Sequence, residues 1–239
     1  MGLSFNLAYW RDYAGVSGRR LDAEIAGRMQ GDFVGNLEGL LGENWRVPTS
    51  TGRAIAACLY ERMSDQSLFY HTPLHVLSML DFGRENGIVL RPWEELAVWF
   101  HDAIYEPAAQ AGRNEESSAL FMRALLRSLV PDDVLDKAEA GILATARYEA
   151  ENVEAEFEVI LDLDLCRFAW DWENHRAASE NIGREFVPIF GEERYRAGRK
   201  AFLEKMLRRG SLYRSAVFRA RFEEAARRNM EKGVAEMND

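Results

Sequence analysis

The chain has 239 residues, 47% of them hydrophobic, with a net charge of −9 and a pI near 5.1. That is enough apolar mass for a core without disulfide staples, and an acidic surface repels phosphate backbones, which argues against wrapping DNA or RNA. Cys58 and Cys166 are isolated and lack zinc-ribbon or CxxC spacing, so they read as two buried thiols in a reducing compartment.

In chain order, residues Met1 to Arg20 mix Trp, Arg, Asp and Gly without an apolar run, so no signal peptide is expected. Leu21, Ile25, Met29, Phe33, Leu37 and Leu41 recur every fourth residue, which predicts a helix. A second helix is predicted over Ala54–Met63, with its cap near Ser50-Thr51. A third begins after Pro73 and runs from His75 to Phe82, because proline is favoured in a first helical turn. Pro92, Glu94 and Glu95 open a fourth, and its nearly continuous apolar run into His101-Asp102 predicts a central, buried helix. Further helices are predicted from Asn114 to Leu129, Pro131 to Tyr148, Trp172 to Phe186, Glu192 to Arg209 and Ser215 to Glu231, while Phe157 to Phe168 is an apolar stretch with two inserted aspartates. Phe157–Leu161 also fits a strand, but a solitary one. No apolar run reaches the roughly 18 residues of a membrane span. The expectation is one all-α domain over 1–239, with N-terminal helices over 1–65, a site-bearing core over about 66–170 and C-terminal helices over 171–239, in a cytoplasmic protein.

Three of the four histidines, His71, His75 and His101, fall in one window, and Asp102 follows the last. A His-Asp pair at the polar end of an apolar helix is costly to bury unless it binds something, and imidazole with carboxylate suits Mn, Fe, Co, Ni or Zn better than Ca. Two histidines and one aspartate call for another carboxylate. Asp162 and Asp164, each flanked by leucines, are the candidates, with capping or arginine pairing as their plainer alternatives. Glu115-Glu116 also fits as a stabilising charge pair in a first helical turn. His175 reads as an ordinary hydrogen-bonded histidine, and the basic stretch Arg194–Arg209 as a solvated helix face.

Tyr70-His71-Thr72-x-x-His75-Val76-x-x-Met79-Leu80, Glu95-Leu96-Ala97-Val98-Trp99-Phe100-His101-Asp102-Ala103-Ile104-Tyr105, Asn114-Glu115-Glu116-x-Ser118-Ala119 and Leu161-Asp162-x-Asp164-Leu165 together resemble the HD-domain superfamily. The nearest likeness is to its bacterial branch of predicted metal-dependent phosphohydrolases. The likeness extends through Gly198-Arg199, Phe202-Leu203, Leu212-Tyr213 and Ala226–Met230, so it covers roughly residues 45 to 232. It implies an HD-type helical bundle with additional C-terminal helices. It also implies a divalent metal ion (Mn, Fe, Co, Ni, Zn or Mg) on His75, His101, Asp102 and Asp164, with His71, Glu115 and Tyr148 around it or against substrate.

The implied reaction is hydrolysis of a small phosphoester, a nucleotide in the leading reading, by a metal-activated water. Glu106 or Glu116 would be the base, and Arg113 and Arg147 the phosphate clamps. Two departures stand out. The branch carries a histidine after its Ile-Leu-Ala-Thr segment, where this chain has Ala146-Arg147-Tyr148, which favours one ion over two. The glutamate expected just after His-Asp is displaced by Tyr105 to Glu106, which leaves the base open. The alternative is a catalytically weakened HD-fold protein that binds a ligand or partner. Neither a membrane nor a nucleic-acid polymer is an expected partner, and a homo-oligomer stays open.

Overall fold

A stripe of Met29, Phe33, Leu37 and Leu41, all buried, runs down the first described helix, as the four-residue spacing requires. The computed structural model describes residues 23–147 and 153–238. Among them are α1 (Ala23–Trp45), α2 (Thr49–Met63), α3 (Pro73–Glu85), α4 (Pro92–Phe100), α5 (Arg113–Leu126), α6 (Asp132–Thr145), α7 (Glu158–Asp164), α8 (Trp172–Phe190), α9 (Glu192–Leu207) and α10 (Ala216–Glu236). No strand occurs among the described residues, and none of their helices is long and apolar enough to cross a membrane. The fold is all-α. Buried apolar side chains from every one of these helices join one core cluster.

Several boundaries move for identifiable reasons. Helix α2 starts at Thr49 behind Pro48, whose φ of −56° is already helical, so Ser50 and Thr51 lie inside it rather than capping it. Helix α5 starts after Gly112, which takes φ = 84°. The strand alternative at Phe157–Leu161 gives way to a 3-10 turn, Ala155–Phe157, continuing into α7. Ile160, Leu161 and Leu163 are all buried, because α7 packs against α3, α4 and α6. Tyr148 lies outside the described residues, and so does Leu21.

Two features position the site. Helix α4 is as central as its composition predicts, with Leu96 through Phe100 fully buried. Gly141 on α6 lets three helices meet: a Cβ there would stand 2.9 Å from Ile160 Cδ1 on α7 and 3.1 Å from Ala97 Cβ on α4. Helices α4 and α7 are thereby held close, with His101 directly after α4 and Asp164 as the last residue of α7.

Candidate metal centre

Thr72 is extended and Pro73 occupies the first turn of α3, so His75 points from the start of that helix and His71 stays outside it. His101 and Asp102 follow the last turn of α4, and Asp164 is the last residue of α7. Three helix ends thus converge. His75 Nε2 lies 3.2 Å from Asp164 Oδ1 and 3.2 Å from His101 Nε2. The ligand atoms of His75, His101 and Asp164 all lie within 4.8 Å of one another, a group that can hold a metal ion. Asp102 stands beside them, its Oδ2 3.0 Å from His101 Nε2 and 3.7 Å from His75 Nε2.

The chemistry of this donor set fits a divalent cation. Ligand atoms about 2.0–2.2 Å from one ion necessarily stand about 3–4 Å from each other, the spacing observed. The Nδ1 of His101 is 2.8 Å from the Val98 carbonyl, so the neutral ring carries its proton there and turns an Nε2 lone pair to the group. Two imidazole nitrogens and the Asp164 carboxylate grouped this closely, with Asp102 beside His101, require a proton or a cation between them. Without a metal the proton goes to His101: burial alone would depress this imidazole, but Asp102, Asp164 and the Val98 carbonyl raise it to about 9. Burial lowers His75, reinforced by the charge of His101. Asp164 would be raised by burial, yet its hydrogen bond to His75 and the charge of His101 hold it below the usual carboxylate range.

Asp162 serves another purpose. Two residues apart on a helix, the two aspartates face different sides. Asp162 is buried and accepts the backbone N–H groups of Arg214 at 2.7 Å and Ser215 at 2.8 Å, which docks the N-terminus of α10. Burial raises its carboxyl to about 6 despite those bonds.

Above the group lies a cavity of about 210 Å³. Asp102, Asp164 and Glu115 line it, as do Arg167 and Arg199, and Phe168, Phe186 and Phe202 contribute apolar wall. His71 and Tyr105 also line it, with their rings stacked at 3.5 Å. Glu185 fixes this corner: its Oε1 accepts the N–H groups of Phe69, Tyr70 and His71, and its Oε2 is 2.6 Å from His71 Nδ1. Burial would depress His71, but the Glu185 charge overrides it and raises the imidazole above its ordinary value. Burial raises Glu115, and the nearby Asp102 and Asp164 charges add to this.

Other expected residues are placed elsewhere. Arg113 and Glu116 pair with each other at 2.8 Å on the surface. Glu106 is exposed, with its backbone clasped by the Asn114 side chain. Arg147 is exposed and 3.9 Å from Glu154. None of these four lines the cavity, whereas Glu115 does. The Asn114–Ala119 segment fastens the loop after His-Asp: Asn114 bonds both backbone groups of Glu106, and Ser118 Oγ bonds both backbone groups of Ile104.

Glu185, Arg167 and Arg199 are the residues that sequence reasoning missed. Glu185 is 114 residues from His71 and carries no local signal, and Arg199 lies in the stretch read as solvated. His175 behaves as expected, buried with Nδ1 3.2 Å from the Arg167 carbonyl, and burial pushes its imidazole down to about 3. No known family model matches the chain, and no curated protein matches it in sequence.

Proposed function

We propose that the chain is a metal-dependent phosphohydrolase of the HD type, acting on a small phosphomonoester. The observation that supports this best is the grouping of His75, His101 and Asp164, with Asp102 3.0 Å from His101, beside a cavity that Asp102 and Asp164 line together with two guanidinium groups. His75, His101, Asp102 and Asp164 would hold the ion. When bound, a divalent ion in such a site supplies a water of near-neutral pKa and positive charge for a phosphoryl oxygen.

The remaining roles fall to the chain's own groups. Glu115, the one glutamate of its segment that reaches the cavity, accepts the proton of the attacking water. Its burial among carboxylates favours the protonated form that this step produces. Glu185 accepts from His71 Nδ1–H, and its charge, outweighing burial, favours the protonated ring, whose remaining donor, Nε2–H, is suited to protonate the departing oxygen. Arg167 and Arg199 balance the substrate's negative charge, the task that sequence reasoning gave to Arg113 and Arg147. Asn114 and Ser118 keep the His-Asp loop in place, a positioning role.

The test is metal analysis of protein purified without chelator, joined to release of phosphate from p-nitrophenyl phosphate. One ion per chain and manganese- or cobalt-dependent release are expected. His101→Ala and Asp164→Ala should each remove metal and lower the rate at least about 100-fold, while Glu115→Gln should keep the metal and lose the rate. Full activity in both ligand variants would overturn the assignment.

A further inference from the structure

A second cavity, of about 290 Å³, adjoins the first between α8 and α9. Ile182, Phe186 and Arg199 line both, so the two cavities share a wall. The second is walled by aromatic rings: Phe186 stacks with Phe190 at 6.0 Å, and Tyr195 stands 6.5 Å from Phe186. Its charged lining among the described residues consists of Arg194, seated over the Phe190 ring, and Arg199 at the shared wall. A guanidinium only donates hydrogen bonds, and no carboxylate or amide side chain lines this space to read the mixed donor and acceptor edge of a nucleobase.

We propose that the two cavities are one substrate site, and that the substrate is an alkyl or aryl phosphomonoester rather than a nucleotide. Its phosphate stays above the histidine-aspartate group, beside Arg199, and its apolar body occupies the space among Ile182, Phe186, Phe190 and Tyr195. This rests on the hydrolase reading for the identity of the head group. It adds that specificity comes from the C-terminal helices, with α8 and α9 supplying the wall against which substrate length is measured.

Phosphonates, whose P–C bond resists hydrolysis, separate binding from turnover. Calorimetric titration of the manganese-loaded full chain with methyl-, butyl-, hexyl- and phenylphosphonate should show Kd tightening about fourfold per added methylene until the cavity fills. Adenosine monophosphate should bind no better than methylphosphonate. Gly198 lies on α9 at the rim of the second cavity, and a Cβ there meets nothing within 4 Å. Gly198→Leu should therefore fold normally, fill the space and cancel the chain-length gain.

A flat series, no binding by any phosphonate, a chain-length gain that survives Gly198→Leu, or adenosine monophosphate binding more tightly than hexylphosphonate overturns the proposal. The hydrolase reading is judged separately. A steep series without phosphate release from p-nitrophenyl phosphate supports this site and fails that reading, and a flat series with release intact does the reverse.

Discussion

Glu185 is the residue on which the substrate side of the site turns. Its side chain is fully buried and satisfies three backbone N–H groups and one imidazole. Removing the charge but keeping an acceptor, as in Glu185→Gln, should cost about 1–3 kcal/mol. His71 is raised above its ordinary 6.5, so its share of that stability is full below 6.5 and is lost as pH rises through the elevated value. Glu185 is lowered from 4.5, because the His71 charge and the backbone bonds outweigh burial, so its share is present above 4.5 and is lost as pH falls through the depressed value. The stability gap between wild type and Glu185→Gln should thus be widest between these two ordinary values and narrow on the alkaline side. Denaturant melts across pH measure this, and a pH-independent gap would mean that the pair is not ionic. None of this is legible in the sequence. His71 announces itself by clustering with His75 and His101, but its partner is one acidic residue among 39.

At the scale of elements, the ligands are set by helix ends, and a glycine sets how the helices meet. Gly141→Ala would gain helix propensity of up to about 1 kcal/mol, but the new methyl would press on Ile160 and Ala97 at 2.9 and 3.1 Å. Overpacking of this kind costs about 1–3 kcal/mol. The expected result is a Tm lower by a few degrees and a weaker manganese Kd, because α7 must move away from α4 and carry Asp164 with it. Unchanged metal affinity would show that α7 reaches its position without this contact. The helices themselves were largely legible, because proline, glycine and four-residue apolar spacing act locally. Glu192 and the buried run into His101 fall where expected. Helix choice between Glu115 and Glu116 was not legible: both sit in the first turn of α5, and only the packing of that helix decides which one faces the cavity.

For the whole molecule, the candidate ion would join α3, α4 and α7 at positions up to 89 residues apart. Ligand binding to the folded state alone stabilises by about 2.7 kcal/mol at a hundredfold excess over Kd. A chain of this size should then melt about 5–10 °C higher with metal. Thermal melts with and without chelator measure the shift, which His101→Ala should abolish. The His-Asp pair stands out by its place after an apolar run, but the leucine-flanked Asp162 and Asp164 look alike on their residues, and it is the resemblance that points to Asp164. The cavity's far wall is not legible, because Arg167, Phe186 and Arg199 belong to three separate segments and share no spacing rule.

Helix α7 has only seven residues, and its two aspartates face opposite ways. One grips the amides that begin α10 while the other reaches toward the histidines. The helix is therefore a rocker pinned at both ends. Stripping the ion frees one pin, and the other should loosen in turn. Amide hydrogen exchange at Arg214 and Ser215, distant in sequence from every candidate ligand, should accelerate when metal is removed, so the C-terminal helix would report whether the centre is filled.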